Sequence, residues 1–206
     1  PDVDWAEIEL KNVIFREADL SGANLSQAVL DFSTLDDARL NEAKLSGASL
    51  KGADGLRVNF SRADLTRVNA LNSQFHSANF ESAVLKEAIF EQATIRSGNF
   101  QDANCNRANF KRALLSHCDI RGTSFCNAIF VEASLIGMDF TEGDLSGACF
   151  ARAKVTRGNF EGVSLPNGNF ESAHLGLALF TDSIMPGANF RKASLCGAGL
   201  ADIDWE

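Results

Sequence analysis

Three histidines and five cysteines are the residues of this chain from which a metal site, a nucleophile or a general base would have to be built. Their spacing builds none of these. Cys105, Cys118, Cys126, Cys149 and Cys196 form no CxxC pair and no metal-ligand spacing, which favours a reducing compartment and a cytoplasmic location. Cys126 and Cys196 are expected to be exposed thiols, with nothing nearby to activate them. No Gly-rich phosphate loop and no GGxGxD calcium repeat occurs. Carboxylates are the remaining reactive groups: 27 Asp and Glu stand against 19 Lys and Arg, a net charge of −8. The sequence therefore points away from an enzyme, a cofactor and a metal, and away from direct nucleic-acid binding, which calls for a basic surface. No apolar run reaches membrane-spanning length and no signal-peptide pattern opens the chain.

What positions these groups is a period of five. From Asn72 to Phe110 the sequence cuts into SQFHS, ANFES, AVLKE, AIFEQ, ATIRS, GNFQD, ANCNR and ANFKR, each with a large apolar residue at its centre and a small one two places earlier. The register runs unbroken from Trp5 to Trp205, with central residues at every position divisible by five and every Phe except Phe32 among them. Only Gly55 and Ala70 lack a sizeable central side chain, and Leu56 and Leu71 follow them. Either a bulge swings each Leu inward or a small void is relieved by Phe75 and Phe90, and the second reading is preferred because a long stack absorbs a void. Two places before the centre, Ala fills more than half of the positions. Neither helix nor plain strand has this period, so it marks a repeat architecture. Side chains two apart share a face of an extended segment, so the small and the central residue both point inward, and the extra residue in each five demands a corner. Asp, Asn or Ser just before the centre suits such a turn.

The quintets ADLSG at 18–22, ANLSQ at 23–27, ADLTR at 63–67, ANFES at 78–82 and ANFKR at 108–112 resemble the A(D/N)LXX motif of the pentapeptide-repeat proteins. The resemblance implies an all-β fold, a right-handed quadrilateral parallel β-helix with four pentapeptides per coil. About ten coils at the strand spacing give a rod on the order of 50 Å long. Residues 1–206 then form a single repeat domain, with Val3, Trp5, Ile8 and Val13 covering one end and Ile203 and Trp205 the other. The chain opens on Pro1 without an initiator Met, so it is expected to be trimmed or cut from a longer protein, and ADIDWE leaves no room for a C-terminal helix.

Under this reading residues twenty apart stack, and the central positions sort into four columns, named here after Trp5, Leu10, Phe15 and Leu20. The Leu10 and Leu20 columns hold most of the Phe and face one another. His76, His117 and His174 fall two and three coils apart, roughly 10 and 14 Å, too far to share a zinc ion. With each outward residue assigned to its own central residue, the Leu20 column carries Asp2, Asp19, Glu42, Glu81, Asp102, Asp119, Asp139, Glu142, Glu161, Asp182 and Asp202, interrupted only by Arg39, Arg62 and Arg121. A second surface is expected where the Leu10 and Phe15 columns meet, with Ile89, Ile129, Val131 and Ile136 outward beside Leu114, and Lys111, Arg112 and Arg152 around them.

The expectation is a non-enzymatic rod that binds another macromolecule, a protein of unidentified kind, with its oligomeric state open. An alternative follows from the resemblance, since some members protect type II topoisomerases such as gyrase from quinolones by imitating DNA. The magnitudes weigh against it: a duplex carries one charge per about 1.7 Å, nearly thirty over this length, against eight net here. A third reading is a spacer or targeting arm of a longer effector or enzyme. A solvated acidic surface that keeps a rod with many strand edges soluble would show the same charges.

Overall fold

A computed structural model describes residues 3–206; Asp2 lies outside the described residues, as does Pro1. The backbone is a parallel β-helix in which the residue before a central position bridges its counterpart twenty residues on, at all but two places among the described residues: Asp4 with Asn24, Asn24 with Lys44, and onward to Ile184 with Asp204. Two runs are long enough to count as strands, β1 (Thr94–Arg96) and β2 (Leu114–Ser116), paired parallel with Ile95 opposite Leu115. Elsewhere the extended segments are shorter, because a turn interrupts the chain every five residues.

Each corner is closed locally and propped by the next coil. Ala18 N donates to Phe15 O at 2.9 Å and Ala23 N to Leu20 O at 3.1 Å, the pattern of a four-residue turn opened by the central residue. The second residue after the centre is left-handed, as the third residue of a type II turn must be. From Glu7 to Asp202 every residue at that position has φ between 53° and 70°, with Glu142 as the exception. Most of these are not glycine, and the αL conformation costs an L-residue about 1–2 kcal/mol. At most of these positions the same residue's N–H is paired to the neighbouring coil, as Glu17 N is to Asp36 O at 2.8 Å, and that bond offsets the strain. The Asp or Asn before the centre braces the turn as expected: the Asn99 Oδ1 accepts from Gln101 N at 2.9 Å and the Asp139 Oδ1 from Thr141 N at 3.1 Å.

Inside, the columns are continuous. Phe90, Phe110, Phe130, Phe150, Phe170 and Phe190 stack with centroids 4.8 to 5.3 Å apart, and Phe140, Phe160 and Phe180 at 4.6 and 4.7 Å. The two Phe columns meet edge to face, with Phe160 against Phe170 at 5.7 Å and 88°. Corner alanines are buried, and the hydroxyls that replace them are satisfied: Ser33, Ser73, Thr123 and Ser183 each donate to a core carbonyl.

No bulge forms at Gly55 or Ala70. Gly55 N and Ala70 N keep their ladder bonds to Gln74 O and Ile89 O, and Leu56 stays outside, 39% exposed. The Phe75 ring leans into the space that Gly55 leaves. Phe32, the one Phe off the register, is an exposed corner residue whose ring lies over Gly52 of the next coil. At the ends, Trp5 is half-buried against Phe15, whereas Trp205 packs edge-on to Phe190 and remains 51% exposed.

Candidate functional site

The side chains that could do chemistry stay apart. Among the described residues no group of three His, Cys, Asp or Glu could hold a metal ion. All five cysteines are free. Cys105 is in the core and burial pushes its thiol far up; burial also pushes Cys118 up to about 11. Cys196 is exposed as expected, but Cys126 is half-buried and its sulfur accepts from Asn127 Nδ2 at 3.0 Å. A shallow depression of about 240 Å³ lies beside Gly55, lined by Asp36, Asp54, Leu56, Gln74 and His76. The His76 Nδ1 is buried without a hydrogen-bond partner, while the Asp36 carboxylate is occupied by Leu56 N and Arg16. Sequence reasoning missed this depression; Gly55 at a central position was its signal.

The acidic residues occupy two lines, where the assignment by central residue put them on one. Asp19, Asp119 and Asp139 lie in the wall, where Asp19 and Asp119 bridge Arg39 and Asn99, and Asp139 bridges Asn159. Glu81 and Glu161, together with Glu42, Asp102, Glu142, Asp182 and Asp202, project from the turns that follow the Leu20 column. That corner is shared with the Trp5 column, so Asp64, Asp144 and Asp204 adjoin it, residues that the assignment by column had set apart. Within the expected set only Asp19, Glu42 and Asp119 form ion pairs among the described residues, with Arg39 at 2.9 Å, Arg62 at 3.7 Å and Arg121 at 2.6 Å. The hydrogen bond from Arg121 holds the Asp119 carboxyl below its usual range, and those from the Ser21 hydroxyl and backbone do the same for Asp19. Glu81, Asp102, Asp139, Glu142, Glu161, Asp182 and Asp202 are left without a cation among the described residues.

The apolar and basic surface is divided as well. Ile129 is 39% exposed on the Leu10 wall, with Val131 half-buried at the corner that follows it and Ile89 half-buried two coils away, beyond Asn109. Ile136 is 53% exposed at the next corner, a wall away across Leu114 and Ser134. The cations of this surface are engaged within the rod: Arg112 and Arg152 clasp Glu132 at 2.7 and 3.1 Å, and Lys111 reaches Glu91 at 3.4 Å. Pairing across one coil is the rule here, as in Arg57 with Asp37 and Arg67 with Glu87.

These pairs set a pH dependence. Hydrogen bonds from Arg57, Arg67 and Arg112 hold the Asp37, Glu87 and Glu132 carboxyls below their ordinary values. Such carboxyls titrate lower in the folded rod than in the unfolded chain, so their contribution is present at neutral pH and lost as the pH falls through the folded values. Exposure keeps each contribution small. The urea midpoint is expected to drop between about pH 6 and pH 2, and to drop less in an Arg57→Gln, Arg67→Gln, Arg112→Gln variant. An equal drop in the variant would show that the pairs are not responsible.

Comparison with known proteins agrees with the backbone. The chain is similar to the crystal structure of HetL, a pentapeptide repeat protein involved in heterocyst differentiation regulation from the cyanobacterium Nostoc sp. strain PCC 7120. Identity is 28% over 98% of this chain and 86% of that one, with a TM-score of 0.64. Two trypsin-treated variants of QnrB1, a plasmid-mediated fluoroquinolone resistance protein, share the fold at 16% and 19% identity. They cover 98% and 96% of this chain and 90% of theirs, with TM-scores of 0.55 and 0.53. No curated protein sequence matches. The profile of the pentapeptide repeats matches repeatedly, together spanning residues 2–31, 33–69, 73–157 and 173–204. With the repeat register, the parallel ladder and these matches in agreement, the chain is a right-handed β-helix and belongs to the pentapeptide-repeat family.

Proposed function

We propose that the chain is a non-enzymatic, four-sided rod of about ten coils that works by binding a protein along its side, without a cofactor. The observation that carries this reading is the corner after the Leu20 column. There Glu81, Asp102, Glu142, Glu161, Asp182 and Asp202 project without a cation among the described residues, while Arg112 and Arg152 elsewhere are consumed by Glu132. A line of unpaired carboxylates on a stiff support attracts a basic partner surface and gains in rate and register from complementarity. The partner expected is therefore a protein with a basic groove or ridge.

One observation favours a second, narrower reading. QnrB1 is described as a fluoroquinolone resistance protein, and a rod with an acidic corner has the shape to occupy the DNA channel of a topoisomerase such as gyrase. The charge density of the rod, far below that of a duplex, makes this the lesser reading.

One set of variants tests both. Asp102→Lys, Glu142→Lys and Asp182→Lys reverse the corner; Asp139 is left alone, because its carboxylate braces a turn. The partner retained by the wild-type rod from its native cell is expected to be lost by the triple variant, and retention by both would remove the corner from the binding surface. In a gyrase supercoiling assay with and without quinolone, no effect of the wild type at micromolar concentration would eliminate the DNA-mimic reading.

A further inference from the structure

The ladder that ties coil to coil is interrupted on the Leu20 wall and again, one coil further along, where the Trp5 wall begins. On the Leu20 wall Phe100 N donates to Asp119 O at 2.7 Å, Asp102 N to Arg121 O at 3.0 Å and Asp119 N to Gly98 O at 2.9 Å. One coil further on, the equivalent donors Ile120 N, Gly122 N and Asp139 N have no backbone partner among the described residues. The bridge that should join Asp119 to Asp139 is missing there; the one other gap in the series, Asp144 to Ser164, belongs to the next interface, where Glu142 N and Leu145 N also lack a ladder partner among the described residues. Glu142, the one corner residue that is not left-handed, lies in the same stretch.

Four features of the sequence converge there. The position two before the centre of this column is Ala, Gly or Val in every other coil, but here it is Cys118 and, directly above it, Met138, the largest side chain at this position in the column. Ile120 takes the place of a Phe, leaving Phe100 and Phe140 without a ring between them. Asp119 and Asp139 put like charges in adjacent coils. Arg121, which elsewhere in the rod would reach across to a neighbouring coil, folds back onto Asp119 at 2.6 Å. Bulk at the corner holds the coils apart, the missing ring weakens the grip beneath, and the carboxylates discourage closure.

We propose that this seam, between Cys118–Thr123 and Met138–Gly143, is a built-in point of local opening that divides the rod into an N-terminal and a C-terminal segment able to flex against one another. Stability in a stacked-repeat protein is a sum of nearest-neighbour interfaces, so one weak interface opens before the others. The inference does not depend on the proposed function.

Residue-resolved amide hydrogen exchange on the whole chain tests it. The amides of Ile120, Gly122 and Asp139 are expected to exchange on the order of a hundredfold faster than those of Phe100, Asp102 and Asp119. A Cys118→Ala, Met138→Ala double variant, which restores the small corner residue in both coils, is expected to remove most of that difference. Equal protection of the two sets in the wild-type rod would overturn the proposal. So would a double variant that folds and keeps the full difference, because the opening would then not be set by these side chains.

Discussion

Phe150→Ala is expected to lower the unfolding free energy by about 3–5 kcal/mol, the range for deleting a fully buried aromatic side chain from a packed core. Phe150 is sandwiched between Phe130 and Phe170, each at 5.0 Å, and meets Phe140 and Phe160 edge-on at 5.7 Å. Its stacking partners Phe130 and Phe170 cannot fall into the hole, because each is fixed by its own coil's ladder bonds above and below. The loss combines transferred area, four aromatic contacts and a cavity that stays open. Phe190→Ala should cost clearly less, since Phe190 is only partly buried and is flanked by Phe170 on one side and the exposed Trp205 on the other. Urea denaturation of the two variants checks this through the midpoint at unchanged slope. Equal costs for both would mean that the stack does not share its load between neighbouring coils.

How much of this was legible in the sequence depends on the length scale. The register of five and the period of twenty within it placed Phe140, Phe160 and Phe180 in one stack, and the structure has them there. Asn99 and Asp139 were readable as turn residues because their side-chain chemistry is local. What could not be read is where the corner ends and the wall begins. Glu142 and Asp139 share a central residue, yet one projects from a turn and the other lies in the ladder. The left-handed residues gave no signal either: Leu177, Arg112 and Phe32 are ordinary side chains in a conformation that composition assigns to glycine or asparagine. The neighbouring coil imposes it through the backbone, and a bond to a residue nineteen positions away leaves no mark on local propensity. The seam lay in plain letters at Cys118, Ile120 and Met138, but each is a tolerable substitution alone. Only their vertical stacking makes a fault, and that requires the coil.

Gly55→Leu is the second large effect expected, and its sign runs against the repeat. The motif asks for Leu at this position, so a repair toward the consensus would be supposed to stabilise. The space is already taken. A Cβ at Gly55 would stand 2.8 Å from Val58 Cγ1 and 2.9 Å from Phe75 Cδ1, before any further atom of the leucine is placed. Both neighbours are fully buried, and Phe75 is wedged edge-on against Phe60 and Phe80 at 5.6 and 6.1 Å. The variant should therefore be destabilised by about 1–3 kcal/mol through overpacking. Phe75→Leu alone should also destabilise, by emptying the space that its ring now fills above Gly55. Combined, the two substitutions restore two leucines in register, the arrangement that Leu35 shows one coil below. The double variant should then be more stable than the sum of the single changes implies, by at least about 1 kcal/mol of coupling. A double-mutant cycle by urea denaturation measures that coupling directly. Additive costs would show that the Phe75 ring does not occupy the place of the missing side chain, and that the fault at Gly55 is a true void.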